Sequence, residues 1–442
     1  MATGLETDPA GYGSPRLVRP GDPKYHAAME SRIVESRLDN GLRIVCETMP
    51  RVRSTAVGFF VPTGSRNEAA HEHGVSHFLE HMCFKGTARR DWHAINVRFD
   101  ELGSIYNAFT SKEHTAYFGW VPADRAEPQL ELLADMLRPS LPEDDFETER
   151  NVILEEIAMS GDNFGHHVWN FLHETCFPDH PLAHEVLGEK ESIEKLPREV
   201  MLDYHRRRYA PDAVALIACG AVDPDTLRAA AERYCGPWQG ANGHAPLAAP
   251  PPPSGGVRRK KLDQFKQQSL VLVFPSLPCD APEAESIEAF TSIFGGANSR
   301  CYWNIVQKGV CSGAGAAWLA YRDCGLMALW ADGEPQRCEE MLAALRTEAE
   351  RISREGVKPD EVQRVKNRRR THLALEAESP KTRLMQVMDD LEVYNQPRSA
   401  QQRLAAVESV SAASIADYLA RYPIEGEGLL ISCGPREWPP TQ

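Results

Sequence analysis

Residues Gly74-Val75-Ser76-His77-Phe78-Leu79-Glu80-His81-Met82 are the stretch on which the rest of the sequence turns. His77 and His81 stand four apart. On a helix that spacing sets both on one face, where two imidazoles can converge on one metal ion. Glu80 follows His77 by three and shares the face. It stands beside such a metal rather than on it, and a carboxylate there can take a proton from activated water. The order is HxxEH, the reverse of HExxH. Gly74 and Ser76 can start the helix, and Lys85-Gly86-Thr87 can stop it. Taken alone, the segment also fits a solvated helix with two chance histidines, since the chain holds 15 His.

A catalytic zinc wants three protein ligands and an open position. Glu149-Arg150-Asn151-Val152-Ile153-Leu154-Glu155-Glu156-Ile157 offers the third. It reads as a helix with an apolar stripe at Val152, Ile153 and Ile157. Glu149 and Glu156, seven apart, differ by only about 20° around a helix. Glu155 points about 100° away from Glu156. Glu156 follows Val152 by four and Ile153 by three, so it is expected to turn inward, where a carboxylate needs a partner. Glu149, on the same face, suits the orientation of a ligand. The alternative is a pair of ordinary surface acids.

The 442 residues carry 49 Lys plus Arg against 63 Asp plus Glu, a formal charge of −14. That excess argues against a general nucleic-acid binder, whose phosphate contacts need a basic face, and permits a basic substrate. No apolar run reaches the roughly 18 residues of a membrane span. Met1 to Pro20 lacks the apolar core of a secretory signal and carries acids unlike a transit peptide. Eleven scattered cysteines without a CxxC pair read as reduced thiols, hence a cytoplasmic location.

Four segments are expected. Residues 1–36 read as an irregular arm and 37–236 as a lobe bearing the metal site. Residues 237–256, with four consecutive prolines from Pro250 to Pro253, read as a linker. Residues 257–442 read as a second lobe without metal. Asp203, Tyr204, Cys219 and Gly220 recur as Asp417, Tyr418, Cys433 and Gly434 at a constant offset of 214, so the lobes read as a duplication. Apolar runs such as Ser54–Val61, Thr115–Val121 and Ser269–Phe274 read as strands; Leu130–Leu137 and Cys338–Ile352 read as helices. The fold class is α+β, each lobe an antiparallel-rich sheet flanked by helices.

These segments resemble the pitrilysin/insulinase family of inverted-zincin metallopeptidases, and within it the mitochondrial processing peptidase-like group. His77 to Thr87 is similar to the family's HFLEHMxFKGT. Asn107-Ala108-Phe109-Thr110, Glu113, Thr115 and Tyr117 resemble its NAxT-x-x-E-x-T-x-Y strand. Glu149 to Glu156 resembles ExxxVxxEE, and His180-Pro181-Leu182 with Leu187-Gly188 resembles HPL-x-LG. Tyr209-Ala210-Pro211-Asp212 resembles Y-x-P-x-N. The resemblance implies one Zn2+ per chain on His77, His81 and Glu156, Glu80 as general base and Glu149 in support. It implies a clamshell half in which a peptide adds as a strand to a sheet edge, beside Asn107-Ala108.

The pattern breaks in the second lobe. Family members carry an Arg and a Tyr seven apart in a segment like SRLFxxLRExxGLAY, and these assist substrate and oxyanion binding. Here Val306 and Ser312 occupy the two positions, one residue closer together, and Arg300 matches the earlier Arg. The resemblance therefore implies a heterodimer whose homologous, zinc-free partner supplies the Arg/Tyr pair. A homodimer stays open through Tyr302 or Tyr321. Other expectations from the same residues are an inactive structural subunit of a larger complex and a peptidase that trims one precursor peptide.

Overall fold

A computed structural model describes residues 31–240, 243 and 249–440. The first sheet contains β1 (Arg32–Arg37), β2 (Arg43–Thr48), β3 (Ser54–Val61), β4 (Ile105–Thr110), β5 (Thr115–Pro122) and β6 (Ala215–Gly220). Its order is β1-β2-β6-β3-β5-β4. The second contains β7 (Gly256–Lys261), β8 (Gln268–Ser276), β9 (Gly313–Ala320), β10 (Gly325–Gly333) and β11 (Leu429–Gly434), in the order β7-β11-β8-β10-β9.

Without β1 the two orders coincide, strand for strand. In each lobe one pair is parallel, β2 with β6 and β7 with β11, and the others are antiparallel. The offset of 214 carries β6 onto β11 residue for residue. Gly220 and Gly434 end these strands with φ of +135° and +147°, where neighbouring backbone leaves no room for a Cβ. The lobes are α+β repeats.

β3 is apolar along nearly its whole length because both of its faces are covered. Val57, Phe59 and Val61 enter a core shared with the HxxEH segment. Ala56 and Phe60 enter a second core on the opposite face. A helix of the other lobe closes that face: Leu384, Val387, Met388 and Leu391 of Pro380–Tyr394 pack on Val45, Phe118 and Ile217. The relation is reciprocal. Val168, Leu172 and Cys176 of Phe164–Cys176, a first-lobe helix, pack on Val271, Val273, Ala328 and Ile431 of the second sheet. Arg383 anchors its helix through a buried ion pair with Glu47 at 2.9 Å, both side chains 1% exposed.

Residues 1–30 of the expected arm lie outside the described residues. Arg32–Ser36, placed in that arm, instead belong to β1, which pairs antiparallel with β2 from Arg32↔Thr48 to Arg37↔Arg43. With only Ile33 and Val34 apolar among Arg, Glu and Ser, this edge strand carries no alternation to read. The described residues of 237–256 hold no helix or strand before Gly256, which opens β7. Trp238 nonetheless belongs to the first core, 5.5 Å from Phe59 and under Arg138. Among the described residues no helix is long and apolar enough to cross a membrane.

Candidate metal centre

The HxxEH segment forms the helix Val75–Met82. Gly74 precedes it with φ +89°, and a Cβ there would strike Ile193 and Gly188. Buried Glu68 accepts from the backbone N–H groups of Gly74 and Ser76, at 2.8 Å each, and so satisfies amides that the first turn leaves free. Burial pushes the Glu68 carboxyl up to about 7 against those bonds. Ser76 Oγ lies 2.6 Å from Tyr204 Oη. Phe78, Leu79 and Met82 are wholly buried, so the apolar face roots the helix while His77 and His81 remain partly exposed.

Glu149 and Glu156 lie on the helix Glu143–Ser160. Phe146 of this helix stacks on Phe78 with ring centroids 4.6 Å apart, which joins the two helices. The buried face is Phe146, Glu149 and Ile153. Val152, expected in the apolar stripe, is 37% exposed. Ile153 is in the core and Ile157 packs against it, as expected; Val152 is not, because adjacent helical residues cannot both face the core. Glu156 accordingly does not turn inward. Its side chain is 39% exposed, beside the two histidines.

His77, His81 and Glu156 each bring one donor atom within 4.8 Å of the other two. Glu156 Oε2 lies 3.9 Å from His77 Nε2 and 3.8 Å from His81 Nε2. Zinc bonds of about 2.0–2.2 Å at a tetrahedral angle set donors about 3.3–3.6 Å apart, so these Glu156 contacts need close by only a few tenths of an ångström for one ion to be held. Two imidazoles and a carboxylate are a catalytic-zinc donor set. Among the described residues no other such group of three occurs.

Glu149 lies behind the centre. Its Oε1 is 2.8 Å from His81 Nδ1 and its Oε2 is 2.5 Å from Lys85 Nζ. Burial works to raise the Glu149 carboxyl, but these two partners outweigh it and hold it below the usual range. His77 is pushed down to about 4, first by burial and then by His81. Glu80, nearly buried, is raised mainly by desolvation, while a 2.6 Å hydrogen bond donated by Thr110 Oγ1 pulls the other way.

Asn107 and Ala108 lie on β4, the edge strand of the first sheet. The strand alternates: Tyr106 and Ala108 pack in the core with Phe78 and Leu79, whereas Phe109 packs on the opposite face. Asn107 is exposed on that opposite face, so its side chain points away from Glu80.

In the second lobe, Arg300 is bound to Glu361 at 2.7 Å and Gly356 O at 2.8 Å, a structural tie. Val306 ends a single π-helical turn, Tyr302–Val306, and Ser312 Oγ donates to Asp332 O. Tyr321 is engaged with the first lobe. Its hydroxyl donates to His173 Nε2 at 2.5 Å, because His173 Nδ1 is spent on Trp169 O. Tyr302 Oη accepts from Gln307. The sequence assigns no site role to Glu68, to Lys85 beyond the helix stop, or to Thr110 beyond its motif. Their contacts join residues 6 to 64 apart, and no spacing rule covers them.

Residues 43–190 match the family model for insulinase (peptidase family M16), and residues 195–369 match that for the peptidase M16 inactive domain. The chain belongs to the insulinase family, peptidase family M16. An "uncharacterized zinc protease" of Mycobacterium tuberculosis is 31% identical over 399 residues, covering 89% of this chain and 90% of the relative. The "uncharacterized zinc protease YmxG" of Bacillus subtilis is 29% identical over 348 residues, 78% of this chain and 84% of the relative. Two solved structures share the insulinase-family fold. One is a protease from Helicobacter pylori, with a TM-score of 0.86, 20% identity and coverage of 92% of this chain and 100% of that one. The other is a peptidase M16 inactive domain from Pseudomonas fluorescens, with a TM-score of 0.84, 18% identity and coverage of 92% and 98%.

Proposed function

We propose that this insulinase-family chain is a zinc endopeptidase of short or unfolded peptides and the catalytic subunit of a heterodimer. The observation that carries the chemistry is the convergence of His77, His81 and Glu156 beside Glu80. Zinc in such a site supplies Lewis acidity, which acidifies water and polarises a carbonyl.

The protein's own groups do the rest. His77, His81 and Glu156 hold the ion, and Glu149 orients His81. Glu80, with its proton affinity raised by burial, accepts a proton from water and returns it to the leaving amine. Among the described residues no strand pairs the outer edge of β4, which offers its backbone groups to an extended peptide, beside Asn107 and Ala108. Strand addition reads backbone rather than side chains and so suits unfolded substrates.

The heterodimer reading rests on what the second lobe lacks. Val306 cannot donate a hydrogen bond, Ser312 is spent on Asp332 O, and Tyr321 is spent on His173. A homologous zinc-free partner of the processing-peptidase kind would supply the Arg/Tyr pair. Eleven free cysteines fit a reducing compartment, the cytoplasm. The test is to assay the purified chain, alone and with candidate partners, for zinc content and peptide cleavage. Zinc without cleavage until a partner is added is the expected result. Full activity from the chain alone would overturn the heterodimer, and absence of zinc would overturn the peptidase.

A further inference from the structure

We infer that Thr110 is a positioning residue for the general base, holding Glu80 from the same strand on which the peptide docks. The inference rests on the zinc-peptidase reading above. Thr110 Oγ1 donates to Glu80 Oε2 at 2.6 Å, and among the described residues it is the one hydroxyl bonded to that carboxylate. The last torsion of a glutamate is broad, so a single donor decides which oxygen is held and which is left toward the histidines. With Oε2 held, Oε1 is left to accept from water.

Thr110 is itself fixed. It ends β4 opposite Thr115 of β5. In the turn that follows, Ser111 N donates to His114 O, and Ser111 Oγ accepts from Glu113 N and His114 N. Glu113 is buried, pairs with Arg66 at 2.5 Å and faces Arg322 N at 3.3 Å. Arg66 also pairs with Asp323. Arg322 and Asp323 form the turn between β9 and β10, so the metal-free lobe braces the hairpin that carries Thr110. One strand therefore sets both the position of a docked backbone and the aim of the base. A misplacement of about 1 Å in such a group can lower a rate about 100-fold.

The test uses the full-length protein in its active assembly and compares wild type, Thr110→Val, Thr110→Ser and Glu80→Gln. Valine keeps the branched shape and removes the hydroxyl; serine keeps the hydroxyl. Steady-state kinetics on a fluorogenic peptide are read beside zinc content and thermal midpoint. The expected result is a fall in kcat of about 10- to 100-fold for Thr110→Val, with KM and zinc within about twofold, and near-complete recovery for Thr110→Ser. A Thr110→Val kcat within about twofold of wild type, an equal loss in Thr110→Ser, or a loss confined to KM or zinc overturns the inference. If Glu80→Gln abolishes cleavage and Thr110→Val does not, the peptidase reading stands and the inference alone fails. A wild type that binds zinc but cleaves nothing in any assembly removes both.

Discussion

Nδ1 of His81 lies 2.8 Å from Oε1 of Glu149, and this contact decides which nitrogen of the imidazole is free. An ionised carboxylate can only accept, so Nδ1 carries the proton and Nε2 keeps its lone pair toward Glu156. Lys85 and His81 keep Glu149 ionised despite its burial. Glu149→Ala is therefore expected to weaken zinc binding by about 10- to 100-fold without removing a ligand. Competition against a chromogenic chelator measures this, and an affinity equal to wild type would release Glu149 from that role.

Removal of a ligand is a harsher change. Either His77→Ala or Glu156→Ala leaves two donors where a catalytic zinc needs three. Zinc content after desalting is expected to fall from about one per chain to near zero. In the wild type, chelation should abolish cleavage and added zinc should restore it. Cleavage that persists through exhaustive chelation would refute the metal reading.

Glu80→Gln separates metal binding from chemistry. The amide keeps the shape and can still meet Thr110, but it cannot take a proton. About one zinc per chain should remain while cleavage falls at least about 100-fold, the scale of losing a general base. A variant that retains most of its activity takes Glu80 out of the mechanism.

Half-buried His205 and buried His173 contribute to a pH dependence of stability. His205 donates from Nε2 to Leu137 O at 2.9 Å, and His173 is bonded to Trp169 O and Tyr321. Burial pushes each down to about 4. Both are neutral in the folded chain down to that value, whereas the unfolded chain protonates them near 6.5. Their contribution is full above pH 6.5 and is lost as pH falls to about 4. The slope is at most about 1.4 kcal/mol per pH unit for each. Urea titrations at pH 6 and 4.5 should show this, and His205→Gln should lower the slope by about one proton. An unchanged slope in the variant would count against the assignment.

The Glu47–Arg383 pair fastens the helix Pro380–Tyr394 to the first sheet. Arg383→Ala leaves a buried carboxylate unpaired and is expected to destabilise the protein by about 3–5 kcal/mol. Replacing both members with apolar residues of similar volume, Glu47→Leu with Arg383→Met, should recover most of that loss. Chemical denaturation decides it. A single variant within about 1 kcal/mol of wild type would show that the pair contributes little.

What the sequence disclosed follows from the range of the interactions. β3 and β5 were readable because a doubly covered strand must be apolar at nearly every position. The HxxEH helix was readable because its four-residue spacing fixes two side chains on one face. β1 was not, since none of its residues is buried and it spends its composition on Arg, Glu and Ser. The helix of Glu149 and Glu156 was readable as a helix, but adjacent Val152 and Ile153 hid which residue faced the core. The Thr110–Glu80 bond lay beyond reach because it joins a strand end to a helix 30 residues away. The apolar face of Pro380–Tyr394 announces burial, and nothing in it says that the covered sheet belongs to the other lobe.

That exchange of helices has a consequence for how the chain can change over generations. A tandem repeat whose units fold separately can shed the copy that loses its chemistry. Here each repeat lends the other its lid. Deleting the second lobe would strip Ala56, Phe60, Phe118 and Ile217 of their cover, and deleting the first would bare Val271, Val273 and Ile431. The second lobe is thereby locked in as scaffolding, whatever else it does. Severing the chain within the proline-rich connection should leave two fragments that stay clasped and fall apart only when both unfold.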